Sequence, residues 1–326
     1  MSAELRATPT AVPMGRPPLD GQVAEIIRDL SLLDDDGGPR TAARARKGAH
    51  DAFEVLRGSD PDASVEEVDW EIVVRRFPHG DVSTREYWPR ATSRDELTTT
   101  VVFLHGGGWV TGSASSYHDD TALLAARLRA RVVSVDYRLA PEEPFPAAFD
   151  DSLAVVRAEL EAGGARIVVA GDSAGGNLAL ATILATRDAP RRADALLLLY
   201  PALDPAEMGN ATYRSNGEGY ILETADIQFY YGAYLGADPE RIGQFGAPLR
   251  AQSFAGLPPT IVVSAGYDPL LAENKSLAQR LIADDVPTVY LTNATLPHGF
   301  LQMRTRVDAA RASMDQVFSA VQALTS

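Results

Sequence analysis

The chain contains no cysteine. Disulfides, thiolate metal sites and a cysteine nucleophile are therefore excluded. It has no apolar run approaching the ~20 residues needed to cross a bilayer, and its first residues lack the basic segment, apolar core and cleavage site of a secretory leader. A cytoplasmic protein without membrane insertion is the expected setting. Basic residues are also in deficit: 30 Lys and Arg face 44 Asp and Glu, a formal net charge of −14. Nucleic acid and anionic membranes, which need a basic surface, are poor partners for such a chain. Arg40, Arg44, Arg46 and Lys47 read as a solvated helix face. Only five histidines are present, so candidates for a general base are few.

What is there is an alternation of short apolar runs with helical periodicity. Residues 1–18 carry no apolar period and are expected to be mobile. Leu19 to Leu33 and Thr41 to Leu56 read as two helices. Val68 to Phe77 and Val82 to Trp88 read as a hairpin turning at His79-Gly80-Asp81. Further strands are expected at Thr100–Leu104, Arg131–Tyr137, Ile167–Ala170, Leu196–Tyr200, Thr260–Ala265 and Thr288–Leu291. Helices are expected near Thr121–Leu128, Phe145–Leu160, Asn274–Ile282 and Val307–Leu324. This order predicts an α/β fold, a mostly parallel eight-stranded sheet with helices on both faces. About sixty residues separate the strands at Leu196 and Thr260, too many for a simple crossover. They are expected to form a helical element over the strand ends. The expected division is a catalytic domain of residues 61–203 and 247–326, with a cap made of residues 1–60 and 204–246.

Ligand sites in such sheets lie beyond the carboxyl ends of the strands, and the chemically capable residues cluster there. Gly171-Asp172-Ser173-Ala174-Gly175 runs from strand to helix through a sharp turn with serine at its apex. Read alone, it is equally a structural turn. A serine hydroxyl needs an adjacent base, and His298 in Leu296-Pro297-His298-Gly299-Phe300 follows a strand on the same sheet edge. A base needs an orienting carboxylate, and Asp268 directly follows the strand Thr260–Ala265. His50 and His79 read as surface residues and His118 as a local helix cap. Acyl transfer also needs donors for an oxyanion. His105-Gly106-Gly107-Gly108-Trp109 follows a buried strand and frees backbone N–H groups to face a cavity, with His105 ordering the loop. No P-loop lysine or dinucleotide fingerprint accompanies these glycines, which disfavours nucleotide binding. Candidate substrate contacts are Trp109 beside the glycines, Tyr200 at a strand end and Tyr231 in the aromatic run Phe229–Leu235.

The loop His105–Trp109 and the turn Gly171–Asn177 jointly resemble the hormone-sensitive-lipase-like branch of the α/β-hydrolases. Val135-Asp136-Tyr137-Arg138-Leu139-Ala140-Pro141-Glu142, Asp268-Pro269-Leu270 and His298-Gly299-Phe300 extend the resemblance from about Val65 to the C-terminus. It implies the α/β-hydrolase fold and a carboxylic ester hydrolase with Ser173 as nucleophile, His298 as base then acid, and Asp268 orienting His298. It further implies Gly107, Gly108 and Ala174 as oxyanion donors, no metal or organic cofactor, small to medium acyl esters as substrates, and a homodimer. Two departures stand out: Glu143 where the family often has histidine, and Leu271-Ala272 where it often has Arg-Asp. Alternatives on the same scaffold are an acyltransferase, dehydratase or cyclase, or a non-catalytic small-molecule receptor.

Overall fold

The computed structural model describes residues 16–33, 38–58, 63–236 and 242–325. Most of the expected N-terminal mobile segment, 1–15, lies outside them. Eight strands form one sheet: β1 (Val68–Phe77), β2 (Gly80–Pro89), β3 (Thr99–Leu104), β4 (Arg131–Asp136), β5 (Arg166–Asp172), β6 (Ala195–Leu199), β7 (Thr260–Tyr267) and β8 (Thr288–Pro297). Their spatial order is β1-β2-β4-β3-β5-β6-β7-β8. The first two joins are antiparallel and the other five parallel. The chain thus carries the eight-stranded, mostly parallel sheet that the alternation of elements predicts.

Both faces of the central strands are buried, and the period of two assigns each residue a face. Val102 and Leu104 of β3, Val169 of β5 and Leu198 of β6 pack on one side. There they meet α4 (Ala147–Ala162), α5 (Ala174–Thr186) and α9 (Leu271–Ala283). Val101, Phe103, Val168 and Leu197 point the other way. They meet α1 (Gly21–Leu30), α3 (His118–Leu128) and α10 (Asp308–Thr325). Helix α5 is buried almost throughout, which its Ala- and Leu-rich sequence allows because no charged side chain needs water. Helix α2 (Ala42–Arg57) and the insert, α6 (Ala211–Asn216), α7 (Thr224–Leu235) and α8 (Gly243–Gly246), complete the list of helices among the described residues.

Several boundaries differ from the expected ones. Strand β8 runs six residues beyond Leu291, to Pro297. As a sheet-edge strand it leaves Leu291, Asn293 and Thr295 half-buried or exposed, so no apolar run marks its second half. Helix α4 starts at Ala147, since Pro146 keeps the preceding Phe145 out of helical geometry. The hairpin closes at the pair Phe77–Gly80, with Pro78-His79 as its two-residue loop. Helix α1 ends at Leu30, and residues 31–33 form turns.

Candidate active site

Strand β5 ends at Asp172 and helix α5 starts at Ala174, so Ser173 takes the whole reversal of direction. Its φ of 54° lies in the left-handed region, a strained place for a residue with a side chain. The turn is held by Ser173 N–H donating to the Leu199 carbonyl at 2.9 Å and by Ala202 N–H donating to the Ser173 carbonyl at 3.2 Å. Gly175 is required by close approach: a Cβ there would stand 1.9 Å from the Leu104 carbonyl oxygen. The Ser173 turn therefore packs directly on the end of β3, the strand that feeds the Gly-rich loop.

Strand β8 delivers His298, and β7 delivers Asp268, to the same edge. His298 Nε2 is 2.8 Å from Ser173 Oγ, and His298 Nδ1 is 2.7 Å from Asp268 Oδ2. Asp268 is fully buried, and its other oxygen accepts from Leu270 N–H at 2.8 Å. A proton on Nδ1, facing the carboxylate, leaves the Nε2 lone pair free to accept from the serine hydroxyl. The three residue types that the sequence put at separate strand ends are thus in one hydrogen-bonded line.

Beside Ser173, the Gly107 and Gly108 N–H groups have no acceptor among the described residues, and Ala174 N–H is the first of a helix, without an intrahelical partner. Gly106 N–H is already engaged: it donates to Asp172 Oδ1 at 2.7 Å. Asp172 Oδ2 accepts from Tyr117 OH at 3.0 Å. Burial, reinforced by the Asp120 charge, pushes the Asp172 acid up to about 7. His105 is fully buried, and burial lowers its pKa. Its neutral ring stacks on Tyr137 at 4.2 Å, and its Nδ1 lies 2.7 Å from the Gly106 carbonyl, so it ties the loop internally.

A cavity of about 170 Å³ opens over Ser173. Ala52, Phe53 and Leu56 of α2 form one wall, and Ile227, Tyr230 and Tyr231 of α7 another. Trp109 and Tyr231 line it. Tyr200 does not. It is fully buried, and its ring packs edge-on against His298 at 4.8 Å. Its strand-end position suited either role, and the chain turns its side chain inward with a φ of 38°.

The other histidines lie apart. His50 is exposed, and His79 pairs with Asp151 at 3.1 Å. His118 opens α3 without capping it. Its Nδ1 is 3.0 Å from Tyr87 OH, and its ring meets Trp70 edge-on.

A family model described as alpha/beta hydrolase fold matches residues 101–302. The chain belongs to the hormone-sensitive-lipase-like family of α/β-hydrolases. It is a serine hydrolase of the carboxylesterase- and lipase-like kind. Carboxylic ester hydrolase LipN of Mycobacterium tuberculosis is 35% identical over 76% of this chain and 68% of its own. Carboxylesterase NlhH of the same organism is 35% identical, over 71% and 74%. An acetyl esterase of Salmonella is 32% identical, over 72% and 74%. Among solved structures, the α/β-hydrolase LAE6 from the metagenome of Lake Arreo, Spain, superimposes with a TM-score of 0.82 at 30% identity, covering 94% of this chain and 98% of that one. In this α/β-hydrolase the residues that sequence reasoning missed are those behind the reacting groups. Asp172 stood inside the nucleophile motif, but its partners Gly106 and Tyr117 are 66 and 55 residues away.

Proposed function

We propose that this α/β-hydrolase cleaves small to medium carboxylic esters through an acyl-enzyme. The observation that carries the reading is the placement of His298, 2.8 Å from Ser173 Oγ and 2.7 Å from Asp268 Oδ2. Ser173 Oγ attacks the ester carbonyl carbon as His298 Nε2 takes its proton, and the buried Asp268 carboxylate stabilises the imidazolium. The carbonyl electron pair moves to oxygen, where Gly107, Gly108 and Ala174 N–H groups receive it. Each such donor is worth about 2.7–4 kcal/mol in the transition state. The tetrahedral species collapses, His298 gives its proton to the leaving alcohol, and the acyl group stays on Ser173. Water then repeats the sequence and releases the acid.

Residues 204–246 and the helices within residues 1–60 act as the cap, with α7 of the insert and α2 contributing walls of the cavity. The modest volume and the alkyl and aromatic lining favour short to medium acyl groups over long chains. Relatives named carboxylesterase and acetyl esterase support ester rather than amide substrates.

The test is hydrolysis of p-nitrophenyl butyrate by the parent and by Ser173→Ala. The variant is expected to keep its fold and lose activity by about a millionfold in kcat. Full activity in Ser173→Ala would overturn the assignment. Product analysis in the presence of added alcohols separates hydrolysis from transfer: free acid as the main product supports the hydrolase, and predominant transesterification the acyltransferase. Tight binding of the ester without turnover would revive the receptor.

A further inference from the structure

Gly108 and Trp109 stand in the left-handed region one after the other, with φ values of 60° and 61°. For Gly108 this is ordinary, but Trp109 carries a large side chain in a conformation that such residues avoid. Something must hold it there. Below the loop, the Trp109 carbonyl accepts from Ala140 N–H at 2.9 Å. Above it lies α7. The Tyr234 ring stacks on the Trp109 indole with centroids 4.4 Å apart and planes within 3°, and Tyr231 meets the indole at 5.0 Å. The Tyr230 ring occupies the space where a Gly108 side chain would begin: an ideal Cβ there would fall 2.2 Å from its Cγ. Phe145 N–H donates to the Tyr234 carbonyl at 2.8 Å, and the Phe145 ring meets the Tyr234 ring edge-on, so Tyr234 itself is fixed from outside.

We propose that α7 is a working part of the oxyanion hole, with Tyr230 and Tyr234 as positioning residues that hold the Gly108 and Trp109 backbone in the conformation that aims the Gly108 N–H into the site. The clamp acts through ring faces. The hydroxyls of Tyr231 and Tyr234 and the Trp109 Nε1 are buried without a hydrogen-bond partner, so no polar contact of theirs fixes the loop. The insert therefore does more than cover the site. It sets the direction of the Gly108 N–H, and a loosened clamp lowers transition-state stabilisation while leaving ester binding in place. The inference rests on the proposed acyl-transfer chemistry.

Tyr234 is the position to test, because its side chain does not line the cavity. Parent, Tyr234→Leu and Tyr234→Phe are compared in kcat and KM on p-nitrophenyl butyrate, and in affinity for an alkyl trifluoromethyl ketone. That probe reports the hole directly: Ser173 Oγ bonds the ketone carbon, its proton passes to His298 Nε2, and the carbonyl electron pair becomes an oxyanion. Tyr234→Leu is expected to lose about tenfold in kcat, with KM within twofold, and about tenfold in ketone affinity. Tyr234→Phe is expected to match the parent in both. If Tyr234→Leu does not fold, Tyr234→Met is read in the same way. Parental kcat and ketone affinity in the leucine or methionine variant would overturn the clamp, as would an equal loss in Tyr234→Phe. A parent without ester turnover would instead overturn the ester-hydrolase reading beneath it.

Discussion

The side-chain amide of Asn216, on the insert, donates to the backbone carbonyl of Asp268 at 2.9 Å and to that of Gly266 at 3.2 Å. Asn216 is buried, and its own oxygen accepts from Arg16 at 2.7 Å. Nearby, Thr212 Oγ1 donates to the Pro269 carbonyl at 2.6 Å. The loop that carries Asp268 is thus anchored to α6 by side chains that do not line the cavity.

Asn216→Ala removes one of two hydrogen bonds from each carbonyl: Gly266 keeps the Arg16 guanidinium and Asp268 keeps the Leu271 N–H. We expect a loss of about 1–3 kcal/mol in unfolding free energy and a fall in kcat, with KM little changed. Urea denaturation and steady-state kinetics check this. A parental kcat would show that the Asp268 loop holds itself.

Asp172 makes stability depend on pH. Its acid is pushed up to about 7 by burial and the Asp120 charge, whereas an unfolded aspartic acid titrates near 3.8. Between those values the native state holds a proton that the unfolded state has released. Its contribution is therefore largest below about pH 4 and is lost as pH rises to about 7, with a slope of up to about 1.4 kcal/mol per pH unit. Asp172→Asn removes that slope. Urea midpoints at pH 5 and pH 7.5 should differ less in the variant than in the parent; an identical difference would sink the assignment.

Glu273, on the first turn of α9, is fully buried, and burial raises its acid well above the usual range. One oxygen accepts from Asp204 N–H at 3.3 Å, and the other has no partner. The native group thus holds its proton beyond the pH at which an unfolded glutamic acid, near 4.5, releases it, and Glu273→Gln puts a neutral polar group of the same size in its place. The variant is expected to unfold within about 1 kcal/mol of the parent near pH 4, where native and unfolded Glu273 are both protonated. Raising the pH towards the native acid's pKa costs the parent stability and leaves the variant untouched. Melting curves from pH 4 to pH 7 should diverge in the variant's favour.

The Ser173, Asp268 and His298 constellation was legible because each member follows a strand that the sequence marks, at least in its first half, by an apolar run. Strand polarity then brings three such ends to one edge. The supports around it were not legible, because their partners are distant in the chain and their residue types are common. An asparagine in a polar insert carries no mark of the aspartate 52 residues away. Tyr200 had the right strand-end position for a substrate contact, but only the backbone turn decides whether such a ring faces cavity or core. The second half of β8 was hidden for a related reason: an edge strand half in solvent needs no apolar alternation. His118 shows the reverse case, a residue placed correctly at a helix start whose ring turned back to Tyr87 instead of capping the helix.

Helix α2 forms one wall of the cavity, yet only its Leu56 is buried. It is attached largely by arginines: Arg46 donates to the Val110 and Ala140 carbonyls and pairs with Glu142, and Arg57 donates to the Ser116 carbonyl and pairs with Asp120. Such contacts bury little apolar surface, so little free energy resists their release compared with the sheet core. Held to the apolar core mainly through Phe53, Val55 and Leu56, α2 is expected to be released before the sheet unfolds. The site would then lose a wall over an intact sheet, and inactivation by heat or salt is expected to run ahead of unfolding followed by circular dichroism.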